Sequence, residues 1–233
     1  MGRCRHRRPD RGTRCPYSPT RSAPTSLSSR DIPVRALKLC GRTWSGDFLW
    51  FSEAVSNQLI ALDPHTGEVE RRLPCPGVRT DLTTMDGLLI QVVGEERRLR
   101  VLAPHSGNCI GEMPNPRPGH LLSGLEATRD GIWFGYEDLR LVELRDKRTF
   151  DLIDVFRVRF PIAGLTVSDD YLAYADHRAG TVNMFDLQGG RDVASYSVAG
   201  SPTGVTWDGR AIWYCDFTTL RFRAIEVPGI TKG

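Results

Sequence analysis

The sequence lacks the features that mark a membrane protein, a zinc domain or a common enzyme class. Its apolar runs are strand-sized, and none approaches the roughly 18 residues that a membrane helix needs. The six cysteines, at positions 4, 15, 40, 75, 109 and 215, include no C-x-x-C pair, so their spacing gives no structural zinc site. A nucleophile elbow, a P-loop, a dinucleotide-binding glycine cluster and an H-E-x-x-H helix are also absent. No export signal is visible, so we expect a cytoplasmic protein with free thiols.

Acidic residues are nearly missing from residues 1–30. This segment contains eight arginines and one acid, Asp10, whereas the remaining 203 residues carry 23 basic and 27 acidic side chains. With almost nothing apolar to bury, residues 1–30 are predicted to be a disordered basic tail, and residues 31–233 the folded domain. The mild acidity of that domain disfavours a nucleic-acid-binding surface on it. A contact between the tail and nucleic acid or another anionic surface stays open.

A repeat of about 40 residues organises the rest of the chain. Its clearest mark is a short apolar triplet that follows a turn, and the first residues of successive triplets lie 40, 43, 40 and 40 residues apart. The five triplets are Leu49-Trp50-Phe51, Leu89-Ile90-Gln91, Ile132-Trp133-Phe134, Leu172-Ala173-Tyr174 and Ile212-Trp213-Tyr214. Several of the turns are Asp-Gly, which is the strongest short hairpin signal. Each unit therefore predicts antiparallel strands rather than helices.

Four short strands can be read in each unit, which is the pattern of a β-propeller blade. Strands one to three occur five times, but the fourth occurs only four times. The apolar residues 32–40 can supply the missing strand by pairing with residues 221–227. The fold prediction is thus an all-β, five-bladed propeller closed by an N-terminal strand, which leaves no open sheet edges in the ring. An incomplete or degenerate member of a larger propeller family is the alternative.

Three segments resemble the propeller superfamily of streptogramin (virginiamycin B) lyases, gluconolactonase-like proteins and NHL-type repeats. They are Gly-Asp-Phe-Leu-Trp-Phe-Ser-Glu at 46–53, Ile-Ala-Leu-Asp-Pro-His-Thr-Gly at 60–67 and Pro-Thr-Gly-Val-Thr-Trp-Asp-Gly at 202–209. The resemblance implies the fold, and it allows a metal-assisted lyase or lactone hydrolase. The last blade has no histidine, and Thr203 stands where gluconolactonase-like proteins have a metal-binding asparagine. The catalytic residues of those families are therefore not carried over.

Candidate site residues lie in the loops between strands two and three and between blades, because these loops gather around the axis at one end. Glu53, Asp176 and Asp216 recur at one repeat position, and they are the predicted ligands of a divalent cation, Mg or Ca. An acid at this position can equally cap the next turn. The full set of predicted binding residues is Glu53, Arg79, Glu137, Asp176 and Asp216. His120, which follows a proline-rich loop, and His177, which follows Asp176, are the candidate general bases.

Two functions from different classes remain open at this point. The first is a binding propeller that presents one face to a small-molecule ligand or a protein partner, and it is favoured because the known catalytic motifs are absent. The second is a metal-assisted lyase or lactone hydrolase. In either case we expect a monomer without a membrane partner. Whether the protein is an enzyme is not decided by the sequence.

Overall fold

The computed structural model describes residues 28–227, which form twenty β-strands in five four-stranded antiparallel sheets and no helix. The predicted five-bladed propeller is thereby confirmed. The predicted disordered tail comprises residues 1–30. Residues 1–27 lie outside the described range, whereas residues 28–30 belong to the first strand. Within residues 28–227 there is no helix that could span a membrane.

The chain begins with β1 (Ser28–Pro33), which joins the last sheet, and then completes the blades in order. Blade 1 contains β2 (Leu39–Ser45), β3 (Phe48–Glu53), β4 (Gln58–Leu62) and β5 (Val69–Pro74). Blade 2 contains β6 (Val78–Met85), β7 (Leu88–Val93), β8 (Arg98–Leu102) and β9 (Cys109–Met113). Blade 3 contains β10 (Leu122–Ala127), β11 (Ile132–Tyr136), β12 (Leu141–Arg145) and β13 (Leu152–Arg157). Blade 4 contains β14 (Leu165–Val167), β15 (Tyr171–Asp176), β16 (Thr181–Asp186) and β17 (Arg191–Ser197). Blade 5 contains β18 (Pro202–Trp207), β19 (Ile212–Asp216) and β20 (Arg221–Ile225), with β1 as its outermost strand.

The ring closes through β1, as the strand count predicts. β1 runs antiparallel to β20, with Ile32 opposite Phe222. The closing strand ends earlier than the predicted 32–40, because residues 34–38 are a connection without strand structure and Leu39 already starts β2. Leu39 is fully buried in the core of blade 1, so the apolar run 32–40 serves two strands rather than one.

The core lies between blades. Each of its five apolar clusters joins residues of two neighbouring blades. Because side chains alternate along a strand, Trp50 packs toward blade 2 while Phe51 packs toward blade 5. Trp50, Trp133 and Trp213 are buried in these clusters, and Trp44 and Trp207 pack against them partly buried.

The first strands of the five blades surround the axis and touch one another. A glycine recurs in them at positions 41, 124, 164 and 204. A Cβ atom added at Gly164 would come within 2.6 Å of the Cα of Gly204, and one added at Gly41 would collide with the backbone of Asp81. Glycine therefore permits the close approach that five blades require at the axis.

Candidate axial binding site

A pocket of about 330 Å³ opens on the axis at the end where the strand-two-to-three loops and the inter-blade connections meet. We call it the axial pocket. All five blades line it, through Lys38, Leu39, Cys40, Arg79, Thr80, Ser123, Glu137, Ala163, His177, Thr203 and Phe217. Its position matches the end of the propeller at which the sequence predicts binding. Of the predicted residues, the structure brings together Arg79, Glu137 and His177 in this pocket.

The floor of the axial pocket consists of small side chains. Cys40, Ser123, Ala163 and Thr203 each precede one of the recurring glycines, and Thr80 precedes Asp81. Burial raises the pKa of the Cys40 thiol to about 11, although Lys38 acts to lower it. The thiol is therefore protonated at neutral pH and is not an activated nucleophile.

Asp81 lies in the next layer, where the other four blades have glycine. Its carboxylate is almost fully buried and accepts the backbone N–H groups of Leu82 at 3.1 Å and Leu125 at 3.0 Å. The N–H groups of Arg42 and Leu165 also point to it. One carboxylate thus links backbone groups of blades 1 to 4 directly beneath the pocket floor.

One side of the axial pocket is cationic. Lys38 is exposed at the rim, and Arg79 forms an ion pair with Glu95. Arg97 lies close behind, where its guanidinium donates to the carbonyl of Leu122 at 3.0 Å. Burial, followed by the positive charge of Arg79, lowers the pKa of Arg97. Two guanidinium groups that repel each other therefore flank this side.

The other side combines a carboxylate, an imidazole and an aromatic ring. Glu137, His177 and Phe217 come from equivalent positions in blades 3, 4 and 5. The rings of His177 and Phe217 meet edge to face, with centroids 5.5 Å apart. The Nδ1 atom of His177 is buried without a hydrogen-bond partner among the described residues. His177 thus lines the pocket with its ring, while its Nδ1 atom is enclosed and makes no hydrogen bond with Asp176.

The three acids predicted to bind a metal cap turns instead. Glu53 accepts the N–H groups of Lys38, Val55 and Ser56 at 2.6 to 3.2 Å. Asp176 accepts those of Arg178 and Ala179, both at 3.0 Å. Asp216 accepts three backbone N–H groups and the side chains of Thr219 and Arg223. In the described part of the chain, no three His, Cys, Asp or Glu residues are grouped closely enough to hold a metal ion.

These hydrogen bonds also shift the acidity of two of the acids. Burial acts to raise the pKa of Glu53, but the hydrogen bonds from Ser56, Val55 and Lys38 hold that pKa below its usual value. The pKa of Asp216 is lowered in the same way, against burial, by Thr219, Arg223 and Ser201. Both groups are carboxylates at neutral pH with their oxygens already occupied.

His120 lies outside the axial pocket, in a neighbouring groove of about 660 Å³ between blades 2 and 3. Its Nδ1 is 2.8 Å from Oδ2 of Asp138. Although burial opposes it, the hydrogen bond from His120 lowers the pKa of Asp138. His120 is thus paired with Asp138, whereas Asp176 accepts backbone N–H groups and not His177.

The alternation of side chains along the strand explains why Glu137 and His177, but not the recurring acids, reach the pocket, and why the sequence did not predict Phe217. The recurring acids occupy one repeat position, and the next position supplies Glu137, His177 and Phe217 to the pocket. At that position, blades 1 to 5 have Ala54, Gly94, Glu137, His177 and Phe217. Because these residues differ, the position carries no repeat signal. The floor residues were detectable, since each directly precedes a recurring glycine or Asp81.

Comparison with known proteins identifies the fold of this chain but assigns the chain to no family. No family model matches the sequence, and no curated protein does either. Among solved structures, glutaminyl cyclase from Myxococcus xanthus is similar with a TM-score of 0.73 and 12% identity, over 87% of this chain and 96% of that one.

Two lyase structures are also similar. Virginiamycin B lyase from Staphylococcus aureus gives a TM-score of 0.52 and 16% identity, over 81% of this chain and 66% of that one. A streptogramin B lyase gives 0.51 and 16%, over 85% and 72%. At these identities the likeness concerns architecture: the chain is a five-bladed β-propeller that shares its fold with glutaminyl cyclase and streptogramin lyases.

Proposed function

We propose that this propeller is a binding protein whose axial pocket takes a small organic molecule with an anionic group. The observation that carries the proposal is that Lys38 and Arg79 line a pocket that all five blades build, with Arg97 close behind Arg79. A volume of about 330 Å³ suits a metabolite-sized ligand.

The charges of the pocket favour a carboxylate or phosphate at this side. Arg79 is only partly neutralised, because its partner Glu95 is largely exposed to solvent. Burial and the positive charge of Arg79 lower the pKa of Arg97. An anion placed between these groups relieves their repulsion, and a guanidinium can bind it through two parallel hydrogen bonds.

The opposite side fixes the orientation of the ligand. The carboxylate of Glu137 can accept hydrogen bonds from an ammonium or hydroxyl group of the ligand, and the imidazole ring of His177 lines the pocket beside it. Phe217 gives an apolar surface beside them. A ligand with an acidic group at one end and a donor at the other therefore fits the pocket best.

The test is a thermal-shift and calorimetric screen of citrate, succinate and inorganic phosphate against neutral sugars and amines. A ligand at 100 times its Kd stabilises the folded protein by about 2.7 kcal/mol. Arg79→Met should weaken binding of the best anion by about tenfold or more. Arg129→Met, which removes an exposed arginine at the β10–β11 turn, is the matched control. Absence of any stabilising anion would overturn the proposal.

A second candidate is an enzyme of the lyase or lactone-hydrolase type at the same pocket. It is favoured by His177 and Glu137, which both line the pocket, since an imidazole and a carboxylate at one site can supply general acid–base chemistry. Incubation with quinupristin followed by mass spectrometry tests it, with His177→Gln as the comparison. Glu53, Asp176 and Asp216 do not fit a shared Mg or Ca ion, so no step is routed through a metal, and a metal titration tests that prediction.

A further inference from the structure

The radial groove beside the axial pocket is a rigid surface. We use the name for the cleft of about 660 Å³ that Glu95, Glu96, Asn115, His120 and Leu121 help to line. Asn115 is buried, and its side chain donates to the carbonyl of His120 at 3.0 Å while it accepts the N–H of Arg117 at 3.0 Å. Three prolines, at 114, 116 and 118, restrict the same loop. The wall of the groove is therefore fixed before any ligand arrives.

Two contacts place the radial groove next to the axial pocket. Arg79 lines the pocket and Glu95 lines the groove, and the two form an ion pair. Glu137 lines the pocket and donates its N–H to the carbonyl of Leu121 in the groove at 3.0 Å. The N–H of Leu121 in turn donates to Asp138 at 2.9 Å. A ligand long enough to pass over the Arg79–Glu95 pair therefore reaches from the pocket to the groove.

Charge changes sign along this path. The pocket end carries Lys38, Arg79 and Arg97. The groove is lined by Glu95, Glu96 and Arg98. Glu95 is paired with Arg79, and Arg98 is paired with Glu112 at 3.3 Å, whereas the exposed Glu96 forms no ion pair in the described part of the chain. Leu121, 40% exposed, adds an apolar surface. The ligand that fits this charge pattern is elongated. Its anionic end lies in the axial pocket, and its cationic group lies further out in the radial groove.

We infer that the axial pocket and the radial groove form one track for a short peptide, with its C-terminal carboxylate in the pocket and a basic side chain over Glu96. This inference rests on the proposed function, since the carboxylate takes the place of the small anion. A peptide supplies both required charges at a spacing set by its backbone. An acidic oligosaccharide satisfies the pocket but has no cation for Glu96.

Fluorescence anisotropy with N-terminally labelled tetrapeptides tests the inference. The probes are alanine peptides with one lysine at each of the first three positions, the same peptides with glutamate, and C-terminal amide versions of all of them. At one position, lysine should bind about fivefold more tightly than glutamate, because an exposed charge pair is worth up to about that factor. The amides should bind about tenfold more weakly than the acids.

Glu96→Gln should reduce the lysine-to-glutamate preference toward one, while Asp130→Asn, an exposed acid in another turn, should leave that ratio as in the wild type. Equal binding of lysine and glutamate peptides, with small anions still bound, would overturn the peptide inference and leave the proposed function standing. Equal binding of acids and amides would also overturn it. If neither small anions nor peptides bind, the proposed function fails as well.

Discussion

At the scale of single residues, Arg42 departs most sharply from the repeat. It stands at the position where the other blades have Leu82, Leu125, Leu165 and Val205. Its side chain is fully buried between blades 1 and 5, above the rings of Trp213 at 5.9 Å and Phe222 at 5.5 Å. None of its three side-chain nitrogens has a hydrogen-bond partner among the described residues. The two aromatic rings offset only part of the cost of burying this charge.

Replacement of Arg42 by methionine should therefore stabilise the protein. Methionine keeps an unbranched, flexible side chain, although a shorter one, and an unsatisfied buried guanidinium is removed, so we expect a gain of about 1–3 kcal/mol in the free energy of unfolding. Urea denaturation measures it. The control is Leu82→Met at the equivalent position of blade 2, which should lose less than about 1.5 kcal/mol. A loss of stability in Arg42→Met greater than in the control would show that the guanidinium has a partner that stabilises it.

At the scale of elements, ring closure depends on one short strand. β1 covers the edge of β20, buries Ile32 in the cluster between blades 1 and 5, and places Asp31 at 3.3 Å from both Arg221 and Arg223. Without it, β20 would present unpaired backbone groups beside an uncovered apolar cluster. Such an edge invites pairing with another chain.

Deletion of residues 1–35 should therefore cause aggregation or a large fall in melting temperature, measured by size-exclusion chromatography and calorimetry. Deletion of residues 1–27, which keeps β1, is the control and should leave both nearly unchanged. If the shorter protein stays monomeric and equally stable, closure by β1 contributes little to the fold.

The elements could be predicted from the sequence far better than the site. The 40-residue period and the turn residues determine five blades, because turns such as Asp-Gly and Pro-x-Thr-Gly act locally. The end of β1 could not be located, since both Ile32 and Leu39 are apolar and only tertiary packing separates their strands. The pocket residues Glu137 and His177 share no repeat with their equivalents. Their convergence depends on blade tilt, which no local pattern encodes.

At the scale of the whole molecule, the buried Asp81 and the partly buried Glu126 lie in the first strands around the axis, and the buried Arg42 lies in the first strand of blade 1. Asp81 links four blades through backbone N–H groups, and Glu126 replaces the threonine that recurs one step further along the axis as Thr43, Thr83, Thr166 and Thr206. Thr83 and Thr166 accept N–H groups of the next blade at 3.0 and 3.1 Å. The first strands are thus joined through polar contacts at the centre as well as through apolar packing between blades.

Stability should fall as pH rises, because Asp81 is hard to ionise in the folded protein. Burial raises its pKa to about 8, although four backbone N–H groups oppose the shift. An unfolded aspartic acid has a pKa near about 3.9. Between these values the folded state retains a proton that the unfolded chain has lost, so the free energy of unfolding decreases by at most about 1.4 kcal/mol per pH unit. Below pH 4 this contribution is fully present, and above pH 8 the decline ends.

Asp81→Asn, which mimics the protonated acid, should flatten much of this decline in denaturation curves measured from pH 5 to pH 9. Two other ionisable groups, Glu126 and Arg42, interact electrostatically with Asp81. Burial, and then the charge of Asp81, raises the pKa of Glu126, while the guanidinium of Arg42 lies on the other side. A residual slope in Asp81→Asn should therefore disappear in the double variant with Glu126→Gln.

If Asp81→Asn instead loses several kcal/mol at pH 7 and the wild type grows more stable toward pH 8, the carboxylate is ionised. Its charge would then be stabilised by the four N–H groups and Arg42, and the axis of the ring would be held by an anion rather than by a neutral acid.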